Sequence, residues 1–207
     1  MINQDHDNFF IPYISDEDLK KKANIFLSTY NKNGTLPIPI EYIVEYNLGI
    51  SIFPTLNLER DWGIDAFINS KLDKIIIDEK SYLRQEERAR FSLAHEVAHK
   101  ILHSEIFKGL GIQDEETYLS FQDNGNLKNK GRMEYQAYYL AGYIMLPQSS
   151  FNLRFKELYN SLNLIDVDEW HQIVQILSTD FLVSTSCLQK QIEREFPEIF
   201  SSIMKIR

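Results

Sequence analysis

Residues 95–99 read His-Glu-Val-Ala-His, inside a stretch from Gln85 to His103 whose apolar residues recur at helical period. On a helix, positions four apart differ by only ~40° of rotation and ~6 Å of rise. The His95 and His99 imidazoles therefore leave one face and can meet a single ion. Glu96 stands beside the first of them, within reach of a water on that ion. Two neutral imidazoles suit Zn²⁺, and a hydrolytic zinc site keeps one position open for water. Phe91, Leu93, Ala94, Val97, Ala98, Ile101 and Leu102 cover much of the remaining surface. Such a helix is buried, and histidines in it need partners.

A catalytic zinc site needs a third protein ligand. His103 continues the four-residue series, but it lies ~12 Å of rise from His95 on a straight helix, too far for both to hold one ion. It is expected to pack or to support a ligand from behind. The pattern HExxHxxGxxH would require Gly at 102 and His at 105, where the chain has Leu102 and Glu105. Glu134 is the remaining candidate, on a later helical stretch from Met133 to Leu146 that stops at Pro147. Ala137 and Ala141 follow it at i+3 and i+7, small enough to let that helix approach the first. Spacing alone leaves Glu134 open between a third ligand and a solvated carboxylate at a helix start, where the dipole favours it.

The rest of the chain sets the frame. Helical spacing runs over residues 16–30, with Asp16, Glu17 and Asp18 at the dipole's positive end. A second helix is expected from Pro39 to about Asn47, closed by Gly49. Strands are expected at Ile50–Phe53, Gly63–Ile68 and Lys74–Asp78, the last two joined at Asn69–Ser70. The glycine-bearing polar run from Lys108 to Gly131 reads as a long loop. Three helices are expected from Asn152 to Phe196, broken near Asn163 and Thr179–Asp180. Helices, a few strands, then helices argue for an α+β fold. The division expected is a metal-binding domain over 1–150, its motif helix on a small mixed or antiparallel sheet, and a helical extension over 151–207. Arg84, Arg88 and Arg90 are expected on a solvated face with Glu86 and Glu87.

Composition narrows the function. Lys plus Arg number 22 against 30 Asp plus Glu, a net charge of −8, which disfavours a chain built to grip nucleic acid. The C-terminal helices are themselves acidic: Asp166, Asp168, Glu169, Asp180, Glu193, Glu195 and Glu198 outnumber Lys190 and Arg194. Direct DNA binding is not expected. The single cysteine, Cys187, excludes an internal disulfide and suits a reducing compartment. The polar N-terminus has no secretory pattern, and no apolar run approaches the ~18 residues of a membrane helix. A cytoplasmic protein without membrane association is expected.

Two motifs together resemble the ImmA/IrrE family of metallopeptidases. Arg90-Phe91-Ser92-Leu93-Ala94-His95-Glu96-Val97-Ala98-His99, through His103, is similar to its RFTLAHELGHxxLH helix. Glu134 to Pro147 (EYQAYYLAGYIMLP) is similar to its second motif, ExEANxFAAxLLMP. Leu36–Ile40 and Phe181–Ser184 resemble flanking segments, the latter where a helix-turn-helix-like pair follows. The resemblance implies a gluzincin-like (zincin) fold, one Zn²⁺ on His95, His99 and Glu134, and Glu96 as general base. It further implies a protein substrate, a helix-turn-helix transcriptional repressor, cleaved in a mobile-element or stress response. Tyr138 stands where the family pattern has Asn or Asp, one turn after Glu134, and a phenol there would change the tuning of a ligand.

The reaction expected is zinc-dependent endopeptidase hydrolysis. Tyr135, Tyr138, Tyr139 and His103 are candidate donors to the oxyanion, and either strand of the 63–68 and 74–78 pair is a candidate edge for a substrate backbone. The rival reading is a non-catalytic zinc module that sequesters a regulator through the Lys108–Gly131 loop. Glu96 counts against it, since a structural site has no use for a base.

Overall fold

Ser15 starts the first helix, accepting the Asp18 N–H at 3.2 Å, and α1 runs Asp16–Tyr30 with Leu19, Ala23 and Phe26 buried. This is a computed structural model, and it describes residues 10–124, 127–161 and 167–204. The expected break near Asn163 and the polar segment 1–9 lie outside the described residues. After Pro39, a short helix α2 (Ile40–Tyr42) continues as a π-helical turn, Ile43–Asn47, burying Ile40, Ile43 and Val44. Next come β1 (Ser51–Thr55), α3 (Leu58–Trp62), β2 (Ala66–Ile68) and β3 (Lys74–Asp78). The residue pattern alone places the start of β2 at Gly63. Gly63 instead closes α3 at φ +67, a left-handed position that glycine enters without steric cost.

The sheet order is β1–β3–β2, with β1 parallel and β2 antiparallel to β3. The mixed sheet agrees with the α+β expectation. β3 is the central strand, with Ile75, Ile76 and Ile77 buried. A central strand has both edges filled, so Lys74–Asp78 cannot accept a substrate backbone. β2 can. Asp65 and Asn69 bond towards β3, and by the alternation of an antiparallel ladder Ala66 and Ile68 turn their backbone groups to the outer side.

Asp78 accepts the Ser81 N–H at 2.8 Å and starts α4 (Glu79–Arg84). The motif helix α5 runs Glu86–Leu110, past the expected end at His103, where the backbone departs from helical angles (φ −126, ψ 15) before resuming. Gly111 terminates it at φ +70. The stretch read as a loop holds a further helix, α6 (Glu115–Asn124). At its start the Thr117 N–H donates to Asp114 Oδ1 at 3.0 Å while the Thr117 hydroxyl accepts the Asp114 N–H at 3.0 Å. That reciprocal cap is a helix-start signal in the sequence, masked by the low apolar content on either side. Then follow α7 (Leu127–Met145), α8 (Gln148–Asn160), α9 (Val167–Phe181), α10 (Thr185–Glu195) and α11 (Pro197–Met204). No described helix is long and apolar enough to cross a membrane.

Helix α7 packs along both α5 and α1, and α5 also lies against β2 and β3. Ala137 and Ala141 on α7 are fully buried, in keeping with their expected role at the helix crossing. One cluster of buried side chains runs from Ile11 to Ile203. Helix α10 is tied across to α1: Arg194 pairs with Asp16, and Lys20 pairs with Glu195 at 2.7 Å.

Arg90 is corrected by the structure. It is buried rather than solvated, its guanidinium donating to the Ile38 carbonyl at 2.5 Å and to Glu41 Oε2 at 3.1 Å. It thus fastens α5 to the start of α2. Arg88 pairs with Asp65 and not with its helix neighbours Glu86 and Glu87. Replacing Arg90 strands a buried carbonyl, and a hydrogen bond to a charged group contributes about 1.5 to 3 kcal/mol. Arg90→Ala is expected to lower the unfolding free energy by that order, read as a lower urea midpoint at unchanged slope, with Arg90→Lys recovering only part because it lacks the fork. An unchanged midpoint for Arg90→Ala would contradict this account.

Candidate active site

Helix α5 supplies the imidazoles and α7 the carboxylate. His95 Nε2 lies 3.0 Å from His99 Nε2 and 3.0 Å from Glu134 Oε2, and His99 Nε2 lies 3.6 Å from Glu134 Oε1. Among the described residues these three side chains form the group able to hold a metal, with their donor atoms within 4.8 Å of one another. Ligands 2.0–2.1 Å from a tetrahedral centre stand roughly 3.3 Å apart, so the spacing fits one ion. Lone pairs converging in this way repel unless a cation or proton lies among them. The donor set, two imidazoles and a carboxylate, matches Zn²⁺ chemistry.

The electrostatics agree. Burial acts to raise the Glu134 carboxyl, but His99 and His95 prevail and hold it well below the usual carboxylate range. Burial acts to lower His95, and the hydrogen bond and charge of Glu134, with the charge of Glu96, reverse this. Glu96 itself is 5% exposed, and burial pushes its carboxyl up. The Ile68 N–H, on the outer side of β2, donates to Glu96 Oε2 at 2.8 Å. One backbone donor thus fixes one carboxylate oxygen beside the two imidazoles.

The remaining candidates separate. His103 does not join the three donor atoms. Its Nδ1 faces His99 Nδ1 at 3.1 Å, and its Nε2 faces Gln136 Oε1 at 3.0 Å. Burial, and then the neighbouring His99, push His103 down to about 4. Tyr138 packs its ring on Phe91 at 5.1 Å, with the Lys190 ammonium 4.6 Å over its face; burial pushes its phenol up to about 12. No hydrogen bond joins Tyr138 to either metal-facing histidine among the described residues. Tyr135 is half exposed and lies against Tyr139 at 4.3 Å between ring centres.

Two clefts meet at His95 and Glu134. The larger, about 1070 Å³, runs from Trp62 and Ala66 past Glu96 to Tyr118 and the start of α10. The smaller, about 780 Å³, lies on the Tyr135 side and reaches Arg194. Tyr118 was missed by sequence reasoning because it sits in the stretch read as a loop. Its ring stacks on Phe67 of β2 (4.7 Å, 16°), and its oxygen accepts from Gln122 Nε2 at 2.9 Å. Burial raises this phenol, and Glu96 and Glu134 add to the shift. Gln136 and the Ile68 N–H were also missed: a helix-face glutamine and a backbone amide carry no motif of their own.

The profile of the IrrE N-terminal-like domain, peptidase M78, matches residues 75–193. No curated protein matches the sequence significantly. Among solved structures, a Mycobacterium tuberculosis transcriptional regulator superposes with a TM-score of 0.52 at 16% identity, over 87% of this chain and 47% of that one. The likeness is one of fold, and the chain spans about half the length of that regulator. With both motifs inside the matched region and their donor atoms drawn to one point, the chain belongs to the peptidase M78 family of IrrE N-terminal-like domains.

Proposed function

We propose that the chain is a zinc-dependent endopeptidase acting on a regulatory protein, a helix-turn-helix transcriptional repressor. The observation that carries the reading is Glu96, a buried carboxylate held by the Ile68 N–H beside a His95/His99/Glu134 cluster that opens on a cleft. A structural metal site needs the three ligands and gains nothing from a base at that place. Family membership supports the peptidase class, and the resemblance supports a repressor as substrate.

Zinc, when bound to His95, His99 and Glu134, supplies a Lewis acid that acidifies water and polarises a carbonyl. Glu96 accepts the proton of the attacking water and returns it to the leaving amine. Its raised affinity for a proton suits both halves of that transfer, while the Ile68 N–H keeps the carboxylate from turning away. The outward backbone groups of Ala66, in the wall of the larger cleft, offer a strand edge to an extended substrate. Tyr118, in the same wall, keeps its proton at neutral pH. Its phenol is the donor we assign to the oxyanion that develops on the scissile carbonyl, in place of Tyr135, Tyr138, Tyr139 or His103. Helix α10 is not assigned to DNA, since Lys190 and Arg194 are already engaged with Tyr138 and Asp16.

Glu96→Gln is expected to keep zinc and lose cleavage, whereas His95→Ala and Glu134→Ala are expected to lose zinc. The check is metal content by elemental analysis, together with N-terminal peptides from cells that co-express a neighbouring repressor with each form. Identical peptides from wild-type and Glu96→Gln cells would favour a sequestering module instead. Tyr118→Phe should lower kcat about 100-fold, the usual cost of one oxyanion donor, with little change in KM or metal content. A wild-type kcat for Tyr118→Phe, on a repressor peptide found in the first experiment, would remove that residue from the mechanism.

A further inference from the structure

Behind the metal-facing edge of His99 lies a line of hydrogen bonds whose direction is forced at one end. Pro12 offers only its carbonyl, and Gln136 Nε2 lies 2.7 Å from that oxygen. The amide nitrogen must therefore face Pro12, because the opposite orientation would set two oxygens against each other. Gln136 Oε1 then faces His103 Nε2 at 3.0 Å and can only accept, so His103 carries its proton on Nε2. The other nitrogen of that ring, His103 Nδ1, faces His99 Nδ1 at 3.1 Å, a contact in which one nitrogen donates and the other accepts. His99 Nε2 is the atom that faces His95 and Glu134, so a lone pair available to a metal there places the His99 proton on Nδ1, donating to His103.

We propose that Gln136 and His103 are positioning residues that, anchored on the Pro12 carbonyl, hold His99 in the one neutral tautomer able to bind zinc through Nε2. The segment that provides the anchor is itself pinned. Ile11 is fully buried, and Arg132, one turn before Gln136 on α7, donates to the Ile11 carbonyl at 2.7 Å. The stretch before α1 therefore contributes to a metal ligand's protonation pattern without approaching the metal. Hydrogen-bond partners behind a metal-bound histidine commonly alter metal affinity by about 10- to 100-fold. This inference rests on the zinc reading above, and its test distinguishes the two.

Histidine labelled with ¹⁵N and long-range ¹H–¹⁵N correlation report which ring nitrogen carries each proton. In metal-free wild-type protein, His99 is expected to be protonated on Nδ1 and His103 on Nε2. His99 protonated on Nε2 in that state would overturn the proposal. Zinc affinity, measured by competition with a chromophoric chelator, is expected to fall about 10- to 100-fold in both Gln136→Met and His103→Phe, with the metal-free thermal midpoint of Gln136→Met close to wild type. Unchanged affinity in Gln136→Met would overturn it while leaving the site itself standing. A wild-type protein that binds zinc no better than Glu134→Ala would overturn the zinc reading and this inference with it. The spectrum of the wild-type protein decides the tautomer even if a variant fails to fold.

Discussion

The contact between α5 and α7 governs the rest of the structure. Neither helix alone holds a three-donor cluster: α5 brings two imidazoles to one face, and α7 brings the carboxylate that closes the set. Fully buried Ala137 and Ala141 leave room for the approach, and the Glu134 oxygens arrive at 3.0 and 3.6 Å from the two Nε2 atoms. Bulky residues at those two buried positions would overpack the crossing and carry the carboxylate away from the imidazoles.

Holding such groups in a low-dielectric interior carries an electrostatic cost, and the chain meets it with backbone and side-chain partners placed one by one. Glu96 is matched by the Ile68 N–H, His103 by Gln136, Gln136 by the Pro12 carbonyl, and Arg90 by Ile38 and Glu41. Each partner comes from a different element from the group it satisfies. The site is therefore rigid to the degree that the sheet edge, the pre-α1 segment and the two long helices keep their mutual positions. A loss of packing in any of them reaches the histidines through a hydrogen bond, and not through a vague loosening.

The shape of the surroundings follows from the same frame. β2 lies at the sheet edge next to α5, so its outward backbone groups and the Glu96 carboxylate share one wall of the larger cleft. Helix α6 closes the cleft from above by stacking Tyr118 on Phe67, and α10 supplies its far side, held in place through Arg194 and Glu195. Both clefts open on the same cluster, at His95 and Glu134.

Much of this was legible in the residues. The period of α1, the short apolar run Ile75–Ile77 and the four-residue spacing of His95 and His99 are local properties, read directly from the order of the residues. Family resemblance pointed to Glu134, where spacing alone left it open. What lay beyond reach depended on distant partners. Arg90 reads as one more surface arginine until α2 arrives beside it. Lys108–Gly131 reads as a loop because α6 has too few apolar residues to show a period, and only packing on β2 makes it a wall of the cleft. Tyr118 and Gln136 have roles set wholly by what stands across from them. Sequence by itself determined which groups could do the chemistry, since side-chain identity and helical repeat are written in it. Tertiary structure decided which of those groups meet and which protons they hold, because hydrogen bonds between separate elements exist only once burial has brought those elements together.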